Sequence, residues 1–322
     1  MENIFNIPLK PLKAIYARLG PESPGFGRNW KVFPVKDYAN ALIKAALLDE
    51  KPVMIARLGS TELNCMVNYL GVTQKAKYKS VSGYISGKTP QWWWNRSIMQ
   101  QMQDWSGFFP VDVKQIERFC EMMIGILPDV DILGSWLKEE KFFDHELSGS
   151  RKVVLEDLEP FFTPRPWTAA LAGKKVLVVH PFDKAIRKQF EVREFLFENQ
   201  LLPDFELQTI QAVQSLAREK TVFNNWFDAL DSMKEKIAAA NFDVCILGCG
   251  AYGFPLASFV KSMGKKAVHL GGVTQLLFGI KGSRWENYIV YPYTNLYNEY
   301  WTRPGEENRP QKAAIVENAC YW

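Results

Sequence analysis

Short hydrophobic runs and longer helical patterns alternate along the second half of the chain. The runs predict strands at 174–182, 205–213, 243–250 and 266–272. Between them, apolar residues recur at helical spacing at 185–203, 222–240 and 253–265. Strands separated by helices are typical of βαβ units. We therefore predict an α/β, Rossmann-like fold with a mainly parallel sheet and helices on both faces.

The first half shows the same pattern less regularly. A buried strand is predicted at 51–59, followed by helices at 60–71, 95–105 and 111–128, and a strand followed by a helix within 128–143. The prolines in the segment 161–175 break any helix before the next strand begins. We predict two lobes: 1–162, carrying the turn RLGSTE and the acceptor side, and 163–322, a nucleotide-binding lobe with a C-terminal arm.

Glycine-built turns follow two neighbouring strands of the second lobe. The first holds Gly248, Gly250, Tyr252 and Gly253 at the start of a helix, and the second follows His269 with Gly271 and Gly272. Ligands of parallel sheets bind beyond the carboxyl ends of the strands. A turn that opens a helix presents N–H groups to a phosphate. The alternative is a turn that only allows close helix–strand packing. No acidic residue ends the next strand, which disfavours a dinucleotide site.

Charged residues follow two further strands. His180 and Lys184 surround one turn, where they are predicted to meet a diphosphate; His180 could equally be a hydrogen-bonded core residue. The other turn, RLGSTE, brings Arg57, Gly59, Ser60 and Glu62 to the start of a helix. There Arg57 would clamp an anion and Glu62 would act as a general base or metal ligand. An ordinary helix start, stabilised by Glu62, is the alternative.

A last group of polar and aromatic residues lies between glycines at 271–288. Gln275, Arg284 and Trp285 are predicted to contact a sugar or acceptor, since an aromatic ring beside a cation suits sugar stacking. The three consecutive tryptophans at 92–94 cannot all face one direction, so at least one is expected in the core.

Composition narrows the class of protein. The chain has 322 residues, 47% of them hydrophobic, and a net charge of +4 from 39 basic and 35 acidic residues. This charge is too low for a dedicated nucleic-acid protein, so we expect no nucleic-acid partner. The five cysteines include no CxxC pair, which favours reduced thiols and a cytoplasmic location. No apolar run approaches the roughly 20 residues of a membrane span.

The N-terminal segment 1–20 mixes apolar residues with Lys10, Lys13 and Arg18. This mixture is compatible with a segment that lies on a membrane surface. The alternative is an arm packed on the domain. Peripheral association with the inner face of the membrane is therefore one expectation for this chain. The tail from 291 onwards is expected to fold back over the body.

Two segments resemble the GT-D-type glycosyltransferases of bacterial polysaccharide and glycoprotein glycan biosynthesis. That family carries an Arg-x-Gly-Asp-x-Glu turn after a strand, which appears here as RLGSTE, Arg57 to Glu62. It also carries a strand, a glycine turn, a helix and a strand ending near His or Gly, which resembles the segment 246–272. The resemblance touches the start and the end of the core and is compatible with the whole chain.

The resemblance implies transfer of a sugar from a nucleoside-diphosphate donor, most simply a UDP-sugar, onto a glycan or lipid-linked glycan. Glu62 would be the catalytic or metal-binding carboxylate, and Gly248 to Gly253 part of the nucleotide site. The family's metal pair needs aspartate where this chain has Ser60, which puts the use of Mn²⁺ or Mg²⁺ in doubt. Two alternatives stay open: a pyruvyl- or phosphoryl-adding transferase, and a non-catalytic nucleotide- or glycan-binding subunit.

Overall fold

The described residues contain one seven-stranded sheet whose strands are all parallel. The structure, a computed structural model, describes residues 9–19, 36–199, 201–288, 291–316 and 318–322. The strands lie in the order β3-β2-β1-β7-β6-β4-β5. Their bounds are β1 Val53–Arg57, β2 Ile132–Ser135, β3 Arg151–Val154, β4 Lys175–His180, β5 Glu206–Gln211, β6 Val244–Leu247 and β7 Lys266–His269.

Helices cover both faces of this sheet. The longer ones are α1 Leu9–Leu19, α2 Lys36–Leu48, α3 Ser60–Thr73, α6 Arg96–Asp104, α7 Val113–Gly125, α8 Asp183–Glu191, α10 Trp226–Ala239 and α11 Gly253–Ser262. Single turns of helix are α4 Lys75–Tyr78, α5 Val81–Ile85, α9 Arg193–Leu196, α12 Thr274–Leu277 and α13 Ser283–Glu286. The predicted α/β Rossmann-like class is confirmed.

The strands form because short apolar runs are buried on both sides. In β1, Met54 and Ala56 belong to the hydrophobic core of one face, which also holds α3, α7, α10 and α11. Val53 and Ile55 belong to the core of the other face, with α2 and α8. Successive strand residues point to opposite faces, so a continuous apolar run is what a doubly covered parallel strand requires.

The two halves of the chain share this sheet. Residues 1–162 supply β1 to β3 and residues 163–322 supply β4 to β7, and the halves meet where β1 pairs with β7. Ile55 is in register with Val268 across that junction. The predicted boundary therefore falls where the chain crosses from one end of the sheet to the other, and the sheet is continuous across it.

The sequence patterns missed several elements. Edge strand β3 has only four residues, and helix α2 precedes the first predicted strand. The helix predicted at 185–203 is broken into α8 and α9 at Val192. The helix predicted after β2 is a 3₁₀ helix, Lys138–Phe143. Among the tryptophans, Trp92 and Trp93 are buried with Tyr84, as the spacing required.

Both ends of the described chain pack on the body. Helix α1 lies against α5, with the Lys13 ammonium 4.5 Å from the centre of the Tyr84 ring. The tail folds back, since the Gln275 side-chain amide donates a hydrogen bond to the Tyr321 carbonyl oxygen at 3.2 Å. All five cysteines are buried, and none of them forms a disulfide. No helix in the described ranges is long and apolar enough to cross a membrane.

Candidate functional site

A cavity of about 460 Å³ lies beyond the carboxyl ends of β1, β4, β6 and β7. It lies where the helices that follow neighbouring strands pack on opposite faces of the sheet. Helix α8, which follows β4, packs on one face of the sheet, and α11, which follows β6, packs on the other. The loops after β4 and β6 therefore separate and leave a crevice, which is the usual ligand position in open parallel sheets.

The structure brings most of the predicted site residues together around this cavity. Those lining it are Arg57, Gly59, Ser60, Glu62, His180, Gly248, Gly250, Tyr252, His269, Gly271, Gly272, Gln275, Arg284 and Trp285. Lys184 does not line it: α8 packs through Ile186 and Gln189, so Lys184 faces solvent. Gly253 lies behind the cavity wall. The expectation that Lys184 meets the diphosphate is therefore corrected.

A different structural feature accounts for glycine at each of three positions in the first turn. A Cβ on Gly248 would come within 2.6 Å of His180 Cδ2, and one on Gly253 within 2.2 Å of His269 Cε1. Gly250 has a φ of +57°, in the left-handed region that favours glycine. Packing thus explains Gly248 and Gly253. Gly250 opens the 3₁₀ turn Gly250–Tyr252 that leads to α11. The Tyr252 N–H donates to the Cys249 carbonyl oxygen at 3.2 Å and the Gly253 N–H donates to the Gly250 carbonyl oxygen, so within the described residues the N–H groups of Gly250 and Ala251 are the ones left without a backbone carbonyl partner.

The two buried histidines are neutral and present different ring nitrogens. His180 Nδ1 accepts a hydrogen bond from the Phe182 N–H at 3.0 Å, so Nε2 carries its proton. His269 Nδ1 lies 3.2 Å from the Leu247 carbonyl oxygen and must donate, so Nε2 is an acceptor. Burial lowers the pKa of each imidazole to about 3, helped at His269 by the charge of Arg57. The cavity wall therefore has one imidazole donor and one acceptor.

Two arginines face the cavity from opposite ends of the chain. The Arg57 guanidinium lies 5.2 Å from the centre of the Trp136 ring and runs alongside Gly271. The Arg284 guanidinium lies 4.6 Å from the centre of the Tyr321 ring. Burial lowers the pKa of Arg57, while the charge of Glu62 opposes this. Because arginine stays protonated in proteins, the cavity carries two cations suited to an anion.

Glu62 lies in the first turn of helix α3. A Cβ on Gly59 would lie 1.8 Å from Glu62 Oε2, which shows that the side chain folds back over that glycine. Glu62 is 9% exposed, and within the described residues no hydrogen bond to its carboxylate occurs. A carboxylate in this position can accept a proton from a hydroxyl in the cavity.

Sequence reasoning missed the residues that position Arg57. The Trp136 indole donates from Nε1 to the Leu58 carbonyl oxygen at 3.0 Å. The turn that carries Trp136 is held by the buried Glu140 carboxylate, which accepts from the N–H groups of Trp136 and Leu137 at 3.0 and 3.1 Å. It also accepts from the Ser135 hydroxyl. Glu140 thereby fixes the ring on which Arg57 lies.

A second cavity carboxylate, Glu159, also escaped the sequence analysis. Its Oε2 accepts a hydrogen bond from the Tyr293 hydroxyl at 2.5 Å, across 134 residues of sequence. Burial raises the pKa of Glu159 to about 7, although the Tyr293 hydrogen bond and Lys36 lower it. Its neighbour Asp157 has its pKa raised to about 6, also by burial. Glu159 therefore exchanges its proton near neutral pH.

This raised pKa predicts a loss of stability as the pH rises. The folded protein holds the Glu159 proton more tightly than the unfolded chain, so the free energy of unfolding falls between about pH 4.5 and pH 7. We expect Glu159 to contribute about 3 kcal/mol to that fall. Urea unfolding at pH 4.5 and pH 8 should show a smaller fall in Glu159→Gln than in the wild type. The exposed Glu235→Gln serves as control; equal falls in all three proteins would contradict the assignment.

The donor set near Glu62 does not fit a tight divalent-cation site. Ser60 and Glu62 offer one hydroxyl and one carboxylate, whereas Mg²⁺ and Mn²⁺ prefer several charged oxygens. Over the described ranges, no group of three or more His, Cys, Asp or Glu side chains is arranged to hold a metal ion. The role of Mn²⁺ or Mg²⁺ stays a prediction, and no chemical step is derived through it.

The comparisons with known proteins add no family to this geometry. Neither protein-family models, nor curated proteins, nor solved structures yielded a match to this chain.

Proposed function

We propose that this chain is a glycosyltransferase that moves a sugar from a nucleoside-diphosphate donor, a UDP-sugar, onto a glycan or lipid-linked glycan. One observation carries the proposal: two arginines, a glycine-opened turn and the Glu62 carboxylate, which accepts no hydrogen bond from the described residues, converge in one aromatic-walled cavity. Surface-polysaccharide or glycoprotein glycan assembly in a bacterial cytoplasm is the setting that the sequence resemblance implies. The cavity volume suits a nucleotide-sized ligand.

The diphosphate would lie between the arginines and the start of α11. Arg57 and Arg284 would supply positive charge, and the N–H groups of Gly250 and Ala251, in the turn before α11, would supply hydrogen-bond donors. The burial of Arg57 strengthens its interaction with an anion, because less water screens it. Trp285 and Tyr321 line the same end of the cavity and offer ring faces to the sugar or the base.

The chemistry would use Glu62 as general base. The acceptor hydroxyl loses its proton to the Glu62 carboxylate while its oxygen bonds to the anomeric carbon. The bond from that carbon to the diphosphate oxygen breaks, and the diphosphate leaves with both bonding electrons. Arg57 and the α11 start stabilise the charge that develops on the leaving group.

A second candidate function is a nucleotide- or glycan-binding subunit without catalysis. Ser60 favours it, because the carboxylate pair of the GT-D turn is reduced to Glu62 alone. A pyruvyl- or phosphoryl-adding transferase would use the same cationic cavity with a different donor.

The experiment that tests the proposal is thermal unfolding with UDP, GDP, CDP, dTDP or NAD, each with and without Mn²⁺. We expect UDP to stabilise the protein, by about 2.7 kcal/mol at 100 times its Kd. Arg57→Gln should weaken UDP binding by about tenfold or more, because it removes a charge-assisted contact. Lys184→Gln is the matched control and should change the Kd less than about twofold, since Lys184 lies outside the cavity.

The outcomes separate the candidates. Stabilisation by no nucleotide would remove the glycosyltransferase proposal. Binding of UDP without release of UDP from any UDP-sugar, in the presence of glycan acceptors and Mn²⁺, would favour the binding subunit. Equal losses in Arg57→Gln and Lys184→Gln would place the phosphates away from the cavity.

A further inference from the structure

Helix α1 presents a row of apolar side chains to solvent. The row follows the i, i+3, i+4, i+7 spacing of one helix face, with exposures of 47% at Leu12, 53% at Ile15, 38% at Tyr16 and 84% at Leu19. The helix contacts the body through Leu9 and Lys13, which lie against Tyr84. The apolar row therefore lies beside the contacting face and stays exposed on the folded body.

Basic residues lie on α1 itself and in two segments that pack near it. They lie in three segments, 9–19, 75–88 and 138–141: Lys10, Lys13, Arg18, Lys75, Lys77, Lys79, Lys88, Lys138 and Lys141. The same segments contain two acidic residues, of which Glu140 is fully buried and hydrogen-bonded inside the fold. Glu139 is the one partly exposed acidic residue of these segments.

Contacts hold the three segments together. The Lys141 ammonium donates to the Gly87 carbonyl oxygen at 3.3 Å, and Tyr78 meets Phe142 edge-on at 6.5 Å between ring centres. Burial lowers the pKa of Lys13. The charge of Lys138 lowers it further, Glu139 opposes this and Lys141 adds to it, so these side chains share one region. Helix α1 and the segments 75–88 and 138–141 thus form one surface, called here the basic-apolar face.

We propose that the basic-apolar face docks on an anionic lipid membrane surface. The nine cations of these segments, with Glu139 as the partly exposed carboxylate among them, are complementary to anionic headgroups. The exposed Asp144, just beyond the third segment, is paired with Lys152 at 3.0 Å. The exposed row of leucine and isoleucine side chains can enter the boundary between headgroups and acyl chains. A partner bound by charge alone would not require this apolar row. The long lysine side chains reach the headgroups while their stems lie along the apolar surface. This inference does not rest on the proposed function.

The test is co-sedimentation of the whole chain with lipid vesicles. We expect binding to phosphatidylcholine vesicles that contain 30% phosphatidylglycerol (~30%, enough to give an anionic surface), and at least tenfold weaker binding to pure phosphatidylcholine. Binding to the anionic vesicles should weaken as NaCl rises from about 0.05 to 0.5 M, because salt screens exposed charges.

Two triple variants divide the face into its charged and apolar parts. Lys75→Glu/Lys77→Glu/Lys79→Glu should weaken binding about 100-fold, since each cation near an anionic surface contributes about fivefold. Leu12→Gln/Ile15→Gln/Leu19→Gln should weaken it about tenfold or more without unfolding the protein, because all three side chains are already exposed. The two losses have separate causes and should both be present.

Control variants make the same kinds of change at exposed sites outside the basic-apolar face. Lys188→Glu/Lys220→Glu/Lys236→Glu lowers the charge by the same amount as the first triple variant, at exposed sites outside the face. Val222→Gln removes a side chain that is 94% exposed elsewhere. Both controls should bind vesicles like the wild type.

Three results would overturn the proposal. The first is no binding to the anionic vesicles, and the second is equal losses in the face variants and their controls. The third is an apolar triple variant that changes the oligomeric state in size-exclusion chromatography but not vesicle binding, which would assign the row to a second copy of the chain.

Discussion

Replacing Glu62 with glutamine should lower kcat for sugar transfer by about 10²- to 10⁴-fold, the usual contribution of a general base. Glutamine keeps the shape of the side chain that folds over Gly59, but it cannot take the proton of the acceptor hydroxyl. The Kd for UDP should change less than about threefold, because the diphosphate is assigned to Arg57 and the α11 start. Release of UDP from the donor in the presence of acceptor gives kcat, and thermal unfolding at increasing UDP concentration gives the Kd.

Glu159→Gln is the control for this result, because Glu159 is the other carboxylate that lines the cavity among the described residues. If Glu62 is the base, Glu159→Gln retains most of kcat. A large loss in Glu159→Gln with full activity in Glu62→Gln would transfer the role of base to Glu159. Full activity in both variants would contradict carboxylate base catalysis in this cavity.

Replacing Trp226 with alanine should lower the free energy of unfolding by about 4 kcal/mol, as expected for a large aromatic removed from a packed core. The indole is fully buried and stacks on Tyr252 with ring centres 4.8 Å apart and an interplanar angle of 7°. It also meets Phe119 edge-on at 5.3 Å. Since Tyr252 lines the cavity, UDP affinity should fall together with stability. Urea unfolding and UDP titration give the two numbers.

Trp226→Phe keeps an aromatic ring at the same position and removes only part of the side-chain volume. Within the described ranges the Trp226 indole N–H has no hydrogen-bond partner, so phenylalanine loses volume but no hydrogen bond. We expect a cost of about 1 to 2 kcal/mol, well below that of alanine. Equal costs for the two variants would show that the ring stack contributes little.

The strands at the site could be predicted because their signal is local. A run such as the one before His180 is apolar at every position, and burial on both faces of a parallel sheet requires that pattern. Once parallel strands are predicted, their carboxyl ends must meet at one edge of the sheet. This is why Arg57, His180 and Gly248 were predicted for one crevice although they are far apart in sequence.

Long-range partners could not be predicted in this way. Nothing in the local pattern around Glu159 indicates Tyr293, and the two meet only because the segment after β7 returns across the sheet. Trp136 shares no motif with Arg57 and reaches it through the register of β1 and β2, in which Arg57 lies opposite Gly134.

The orientation of a helix about its own axis was also not predicted from the sequence. The turn after β4 contains both His180 and Lys184, and their closeness in sequence predicted a common role. The side of α8 that packs on the sheet is set by Ile186 and Gln189, which turns Lys184 to solvent. Edge strand β3 escaped because its four residues include only two apolar ones, too few to separate a strand from a loop.

The pairing of β1 with both β2 and β7 has a consequence for how the chain acquires its fold. Val53 lies in register with Lys266, so β1 must wait for the last strand before its second edge is covered. Until then a ribosome-bound nascent chain exposes an apolar strand edge, the kind of surface that promotes aggregation and recruits chaperones. Such high contact order slows folding. Arg57 and His269 meet only when this final strand docks, so ligand binding would report completion of folding.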